Sequence, residues 1–171
     1  MLGLEAARHF VRLNAAMVIL AVRTIKKGEA AAADISNSLG TSKTRIAIWQ
    51  VDLSNYDSIK AFAERVKTLD RLDAVVQNAG ILTTKFSLAE DQESTITVNV
   101  IGTVLLALSV LPKLQESAAE HKLQGRMTFV GSDLIYIAKF KEKDASGKLF
   151  DALKVKEGVD MDDRSVLNAF V

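Results

Sequence analysis

Cysteine is absent from the 171 residues, which excludes a disulfide framework and any thiolate metal site. Histidine occurs only as His9 and His121, far apart and without ligand spacing, so nothing supports a metalloenzyme. Proline occurs once, and neither Pro/Gly linkers nor internal repeats interrupt the chain. A long run of charge of one sign is also missing. The net charge of +1 is mixed along the sequence, which argues against a nucleic-acid partner or a membrane-surface footprint and leaves small molecules as the expected partners. The first ten residues lack the basic flank, apolar run and cleavage site of a secretory signal. Apolar stretches fall short of the roughly 18 residues of a membrane span or are broken by polar residues, as in residues 95–111, so no span is expected and a soluble, cytoplasmic protein follows. What remains is ordinary globular composition, 49% hydrophobic and 25% charged, in a length that suits one domain with a sizeable core.

Hydrophobic periodicity gives the elements. Leu4, Ala7, Phe10, Val11 and Leu13 recur at helical spacing, with Asn14 ending that helix. MVILAV at residues 17–22 is an unbroken apolar run, as expected of a strand covered on both faces in a parallel sheet. Residues 26–39 read as a helix stopped by Gly40, and RIAIWQV at 45–51 as a second strand. Ser54 and Asp57 have capping-box spacing ahead of a helix over Ile59, Phe62, Ala63, Val66 and Leu69. Residues 72–77 form the next strand, followed by an Asn78-Ala79-Gly80 turn. Helix signals resume at Ser87 and Glu90 and run to about His121, although residues 95–104 are rich in β-branched residues that favour strand. GRMTFV at 125–130 is the last strand. Strands alternating with helices across short connections predict an α/β, doubly wound parallel sheet. Residues 139–164 are polar and charged, with a weak helical signal at residues 149–153, and read as a long loop or insertion.

In an open parallel sheet, ligands bind beyond the C-terminal strand ends, so the residues after each strand are the candidates. Arg23 follows MVILAV, twenty residues beyond Gly3, about where a dinucleotide-binding unit reads the adenosine ribose. An arginine there suits a 2′-phosphate and favours NADP over NAD, although a solvated strand-end arginine has the same sequence. Asp52-Leu53 closes the second strand, where a carboxylate can accept from an adenine amino group and an apolar neighbour can cover the ring; an ordinary turn is the alternative. In Asn78-Ala79-Gly80 the small residues let backbone approach a dinucleotide, or simply make a turn. Asn99 lies deep in an apolar helix, where its amide needs partners or costs about 1–3 kcal/mol. Ser132 stands just past GRMTFVG, placed to bind a substrate carbonyl or to end a strand.

Together Asp52-Leu53, Asn78-Ala79-Gly80, Asn99 and Ser132 resemble, in order and spacing, the adenine-pocket, Asn-Ala-Gly, helix-Asn and catalytic-Ser motifs of short-chain dehydrogenases/reductases. The charged stretch after Ser132 is similar to that of retinol-dehydrogenase-like members common in fungi. The resemblance implies a Rossmann-like sheet and an NAD(P)-dependent oxidoreductase acting on a small carbonyl or alcohol. Ser132 would polarise the carbonyl and Asn99 would hold a proton-relay water. It also implies a homo-oligomer contact through the Asn99 helix.

The chain departs from that pattern twice. Of the family's Thr-Gly-x-x-x-Gly-[Ile/Leu]-Gly only Leu2-Gly3 is present, and the strand before it, central in the family's order, is absent. Its loss predicts either open edges on two strands or closure of residues 17–22 against residues 72–77. No Tyr-x-x-x-Lys follows Ser132; Tyr136 has lysines at the wrong offsets and reads as a loop or packing residue. The expectation is therefore a chain truncated at both ends, lacking the C-terminal strands. Residues 1–138 would form a partial NAD(P)-binding domain and residues 139–171 an insertion and aberrant tail. Turnover is expected to be negligible. The alternatives are a non-catalytic nucleotide-binding or interaction protein, or the product of a decayed or misassembled gene.

Overall fold

The MVILAV run does form a strand, β1 (Met17–Val22), in the computed structural model, which describes residues 2–40, 43–132, 148–156 and 161. The chain divides into two units, Met1–Asp52 and Leu53–Val171. In the first, helix α1 (Leu2–Arg12) precedes β1, helix α2 (Ile25–Leu39) follows it, and β2 (Arg45–Gln50) runs parallel to β1, from Met17 opposite Arg45 to Val22 opposite Gln50. Asn14 leaves α1 in the left-handed region, at φ 59°, as a helix-terminating asparagine does. Gly40, at φ 66°, ends α2 with its N–H donated to Ser36 O at 3.1 Å.

Both helices pack on β1 and against each other. Ala7, Val11, Val18 and Ile35 make the core, with Leu4, Phe10, Leu20 and Ile46 around it. Gly28 lets α2 lie close to the strands, since a Cβ there would come within 2.6 Å of Ile48 Cγ2 and 2.9 Å of Val22 Cγ2. Arg8, buried between the helices, donates from Nη2 to Asp34 Oδ2 at 2.7 Å, from Nη1 to Ser38 Oγ and from Nε to Glu5 Oε2 at 3.1 Å. A buried guanidinium without those acceptors would be strongly unfavourable, so this cluster fixes how α1 meets α2.

In the second unit, helix α3 (Tyr56–Lys67) is followed by β3 (Ala74–Gln77) and a short antiparallel hairpin of β4 (Leu88–Ala89) and β5 (Gln92–Glu93). A helix then runs from Ser94 to His121 as α4 (Ser94–Ile96), a π-helical segment Thr97–Gly102, and α5 (Thr103–His121). Strand β6 (Arg126–Phe129) pairs parallel with β3, and a last helix, α6 (Leu149–Lys154), packs on β5 with Leu153 buried. Helix α3 lays Ile59, Phe62, Ala63 and Val66 toward α5, whose Leu106, Val110 and Leu114 are buried. Ser117 Oγ accepts from Leu72 N at 2.9 Å, tying α5 to the entrance of β3.

Three expectations are corrected. The cap of α3 is Asn55, whose Oδ1 accepts from Ser58 N at 2.7 Å, and not Ser54; the helix starts one residue later than the Ser54–Asp57 spacing implied. Ser87 and Glu90 do not open a helix, because residues 88–93 close a hairpin first and Glu93 caps the helix instead. The Ser94–His121 helix is, by length and composition, long and apolar enough to cross a membrane, contrary to the reading of residues 95–111 as too broken; 61% of its most apolar window is buried inside the protein, as in a core helix. Tyr136 and most of the stretch read as an insertion lie outside the described residues.

The sheet consists of separate parallel pairs. Among the described residues β1 pairs only with β2 and β3 only with β6.

The β4–β5 turn carries Glu90 at φ 51° and Asp91 at φ 62°. Both lie in the left-handed conformation that two-residue hairpin loops require and that Asn-Gly or Asp-Gly meets with least strain. Asp91→Gly is expected to raise unfolding stability by about 1 kcal/mol, read as a higher urea midpoint with unchanged slope.

Candidate functional site

The second unit builds its site at the C-terminal end of β3. Gln77 closes the strand, buried, and its Nε2 has no hydrogen-bond partner among the described residues. Asn78 is half-buried, whereas Ala79 and Gly80 are exposed, so the backbone of the turn is reachable. The turn is held from above by Asn99. Its Oδ1 accepts from Ile81 N at 2.8 Å, and its Nδ2 donates to Ile81 O at 2.8 Å. One buried amide thus satisfies both backbone groups of one loop residue, in the manner of a strand partner. A Cβ on Gly80 would come to 3.3 Å from Asn99 Oδ1, so glycine keeps that approach open.

Asn99 is positioned by the irregularity of its own helix. It sits 2% exposed within the π-helical Thr97–Gly102 segment. Such widened turns recur where a helix must aim a side chain. Thr103 Oγ1 donates to Val98 O at 3.0 Å inside the widened turn. Gly102 passes directly beneath Leu53, since a Cβ there would come within 2.3 Å of Leu53 O. The helix start is anchored by Glu93, fully buried, whose carboxylate accepts from Thr95 N at 3.0 Å, Ile96 N at 3.3 Å and Ser94 Oγ at 3.0 Å, and from Thr95 Oγ1. A carboxylate there meets both the free N–H groups and the positive end of the helix dipole.

The other candidates sit as follows. Leu53 is buried, and Ser132 is half-buried past β6. In the first unit, Gly3 lies in the first turn of α1 beside an exposed Leu2. Arg23 follows β1 with its side chain exposed, and its carbonyl accepts from Gln50 Nε2 at 3.1 Å. Asp52 is half-buried just past β2. The structure therefore brings together Asn78, Ala79, Gly80 and Asn99, with Ile81 and Gly102 as members that sequence reasoning missed. Gly102 three residues beyond Asn99 was the available signal.

A Tyr-x-x-x-Lys spacing does occur once, at Tyr56 and Lys60 on α3. Its surroundings are wrong for a proton donor. Lys60 Nζ bonds Asp57 Oδ1 at 3.1 Å, and Tyr56 N donates to Glu90 Oε1 at 2.9 Å. Burial, and then the negative charge of Glu90, push the phenol above its usual 10.0, the opposite of activation.

With that geometry in view, the known relatives can be placed. The short chain dehydrogenase family model matches residues 2–136. The chain belongs to the short-chain dehydrogenase family. It is 47% identical over 165 residues to the short chain dehydrogenase atnD of Emericella nidulans, covering 95% of this chain and 52% of that protein. It is 42% identical over 163 residues to the short chain dehydrogenase FGM9 of Gibberella zeae, covering 95% and 48%. The chain thus spans about half the length of the curated relatives it matches. Among solved structures, a metagenomic short-chain oxidoreductase in complex with NADP is similar at 27% identity and a TM-score of 0.60, covering 76% of this chain and 57% of that one. The Rossmann-type α/β fold of this family accounts for the parallel pairs and for a site past the strand ends.

Two outcomes are expected. Asn99→Ala strands the Ile81 N–H and C=O and lowers stability by about 1–3 kcal/mol, read as a lower urea midpoint. Tyr56 gives a pH signature. The folded chain holds the phenol protonated while the unfolded chain ionises near 10.0, so stability is complete below that pH and falls as pH rises above it. Urea midpoints taken across that range should decline more steeply for the wild type than for Tyr56→Phe.

Proposed function

We propose that this chain supplies the dinucleotide-binding half of an oxidoreductase that moves hydride between a nicotinamide dinucleotide and the carbonyl or alcohol carbon of a small molecule. The observation that carries this reading is the Asn99 clamp on Ile81, which presents an exposed, small-residue turn at the end of a parallel strand. Backbone that a bulky side chain would shield is what a dinucleotide needs to approach, so the residues fit the cofactor. In this reading Asn78, Ala79 and Gly80 contact it, Leu53 and Asp52 serve the adenine, and Leu2 and Gly3 at the α1 N-terminus serve the pyrophosphate. Arg23, exposed at the end of β1, pairs with a 2′-phosphate and selects NADP over NAD.

When bound, the nicotinamide supplies or accepts the hydride. Ser132 donates a hydrogen bond to the substrate oxygen. Asn99, with both amide atoms engaged by Ile81, acts as a positioning residue for the turn and, beyond that, for a proton-relay water. These 171 residues alone supply no proton donor, since no Tyr-x-x-x-Lys follows Ser132 within them and Tyr56 is unsuited to the role.

Calorimetric titration of the purified chain should show NADP+ binding more tightly than NAD+, with Arg23→Ala erasing the difference. Equal affinities, or a preference that survives Arg23→Ala, would remove the assignment of Arg23. No consumption of NADPH is expected with aldehydes or ketones, and sustained turnover would overturn the reading of the chain as lacking its proton donor.

A further inference from the structure

Glu90, in the turn of the β4–β5 hairpin, reaches the start of α3. Its Oε1 accepts from Tyr56 N at 2.9 Å. Tyr56 is the first residue of that helix, so its N–H has no acceptor within the helix, and a carboxylate there also meets the positive end of the helix dipole. Asn55 Oδ1 takes Ser58 N at 2.7 Å, so the hairpin and the cap each satisfy one amide of the first turn. The hairpin is fixed in turn to the long helix, because Thr97 Oγ1 donates to Ala89 O at 2.8 Å, next to Glu90. Leu53, three residues before Tyr56, is buried, and its carbonyl lies where a Cβ on Gly102 would come within 2.3 Å. These contacts form a circuit: from the π-helical segment to the hairpin, from Glu90 to the start of α3, and from Leu53 back to the π-helical segment. Asn99 on that same segment holds Ile81, so Leu53 and the Asn78-Ala79-Gly80 turn are placed by one stretch of helix.

We infer that Glu90 is a positioning residue for the adenine end of the dinucleotide site, acting through Tyr56 N to fix the start of α3 and, with it, Leu53. The inference rests on the dinucleotide reading proposed above. Glu90 is exposed, so burial does not account for its place, and it holds a left-handed φ of 51° that costs a non-glycine residue free energy. In that conformation its carboxylate meets α3. Without it the Tyr56 amide turns to water, the first turn of α3 loosens, and the segment that begins at Leu53 keeps only its contact with Gly102. A ring laid against Leu53 would then have to order the segment as it binds, which lowers affinity. The hydrogen bond requires an acceptor at this reach more than a charge, and glutamine offers the same Oε1.

Calorimetric titration of the full chain with NADP+, and with adenosine 2′,5′-bisphosphate as the adenine end alone, tests this. Glu90→Ala should weaken both ligands by the same factor, about fivefold, the affinity equivalent of one lost helix cap. Glu90→Gln should restore most of that loss. Thr68→Ala removes a hydrogen bond to Arg65 O at the far end of α3 and should leave both affinities unchanged. Amide exchange at Tyr56 should accelerate in Glu90→Ala and stay slow in Glu90→Gln. A wild type that binds neither ligand would overturn the dinucleotide reading and this inference with it. A wild type that binds both, with Glu90→Ala binding them equally well, would overturn this inference alone. So would a loss confined to NADP+, a loss that Glu90→Gln does not restore, or an equal loss in Thr68→Ala, which would mark a general loosening of α3.

Discussion

The two hydrogen bonds between the Asn99 amide and the backbone of Ile81 are the constraint on which the rest of the second unit depends. An amide 2% exposed in the middle of an apolar helix is costly to bury unless both its ends are satisfied, and a loop residue beyond β3 satisfies both. Several neighbouring features follow from that requirement. The helix widens over Thr97–Gly102, Gly102 carries no side chain because Leu53 O lies where a Cβ would go, and Gly80 leaves Asn99 Oδ1 unobstructed. Glu93 fixes the helix start so that the widened turn falls at Asn99. The turn presented by these contacts is the one we propose a dinucleotide meets.

Separation of the sheet into β1–β2 and β3–β6 gives each unit its own source of order. In the first, two helices share a single strand pair and are locked by Arg8 between Glu5, Asp34 and Ser38. In the second, one long helix supplies the core for α3 and reaches β3 through Ser117. Among the described residues each parallel strand has one partner, β1 with β2 and β3 with β6.

Much of this was legible from residue order. β1 was readable because six unbroken apolar residues are too few for a typical helix, although the strand is not covered on both faces as expected, since only Val18 of it is buried and Ala21 is exposed; α2 was readable because an alanine-rich, charged stretch stops at Gly40. The β-branched run at residues 95–104 is helical against its propensity, as the order of elements implies, with Thr95, Ile96, Thr97 and Val98 buried. The hairpin at residues 88–93 was missed because its turn is Glu90-Asp91, with no glycine to mark two left-handed residues. Asn55 lost out to Ser54 as a cap because the two are adjacent and equally good acceptors. Asn99 was visible as a buried amide in need of partners, but its partner was not: a main-chain group of an apolar residue leaves no mark in the sequence.

The central claim is that Asn99 holds the turn after β3 as rigidly as a strand partner would. Amide hydrogen exchange of the full chain tests it directly, residue by residue, comparing the wild type with Asn99→Ala. The account predicts that the Ile81 amide, although it lies in a loop, is protected to the degree of the β3–β6 ladder and exchanges faster once its acceptor, Asn99 Oδ1, is removed. Exchange of Ile81 at the rate of an unprotected loop, unchanged by the substitution, would contradict it.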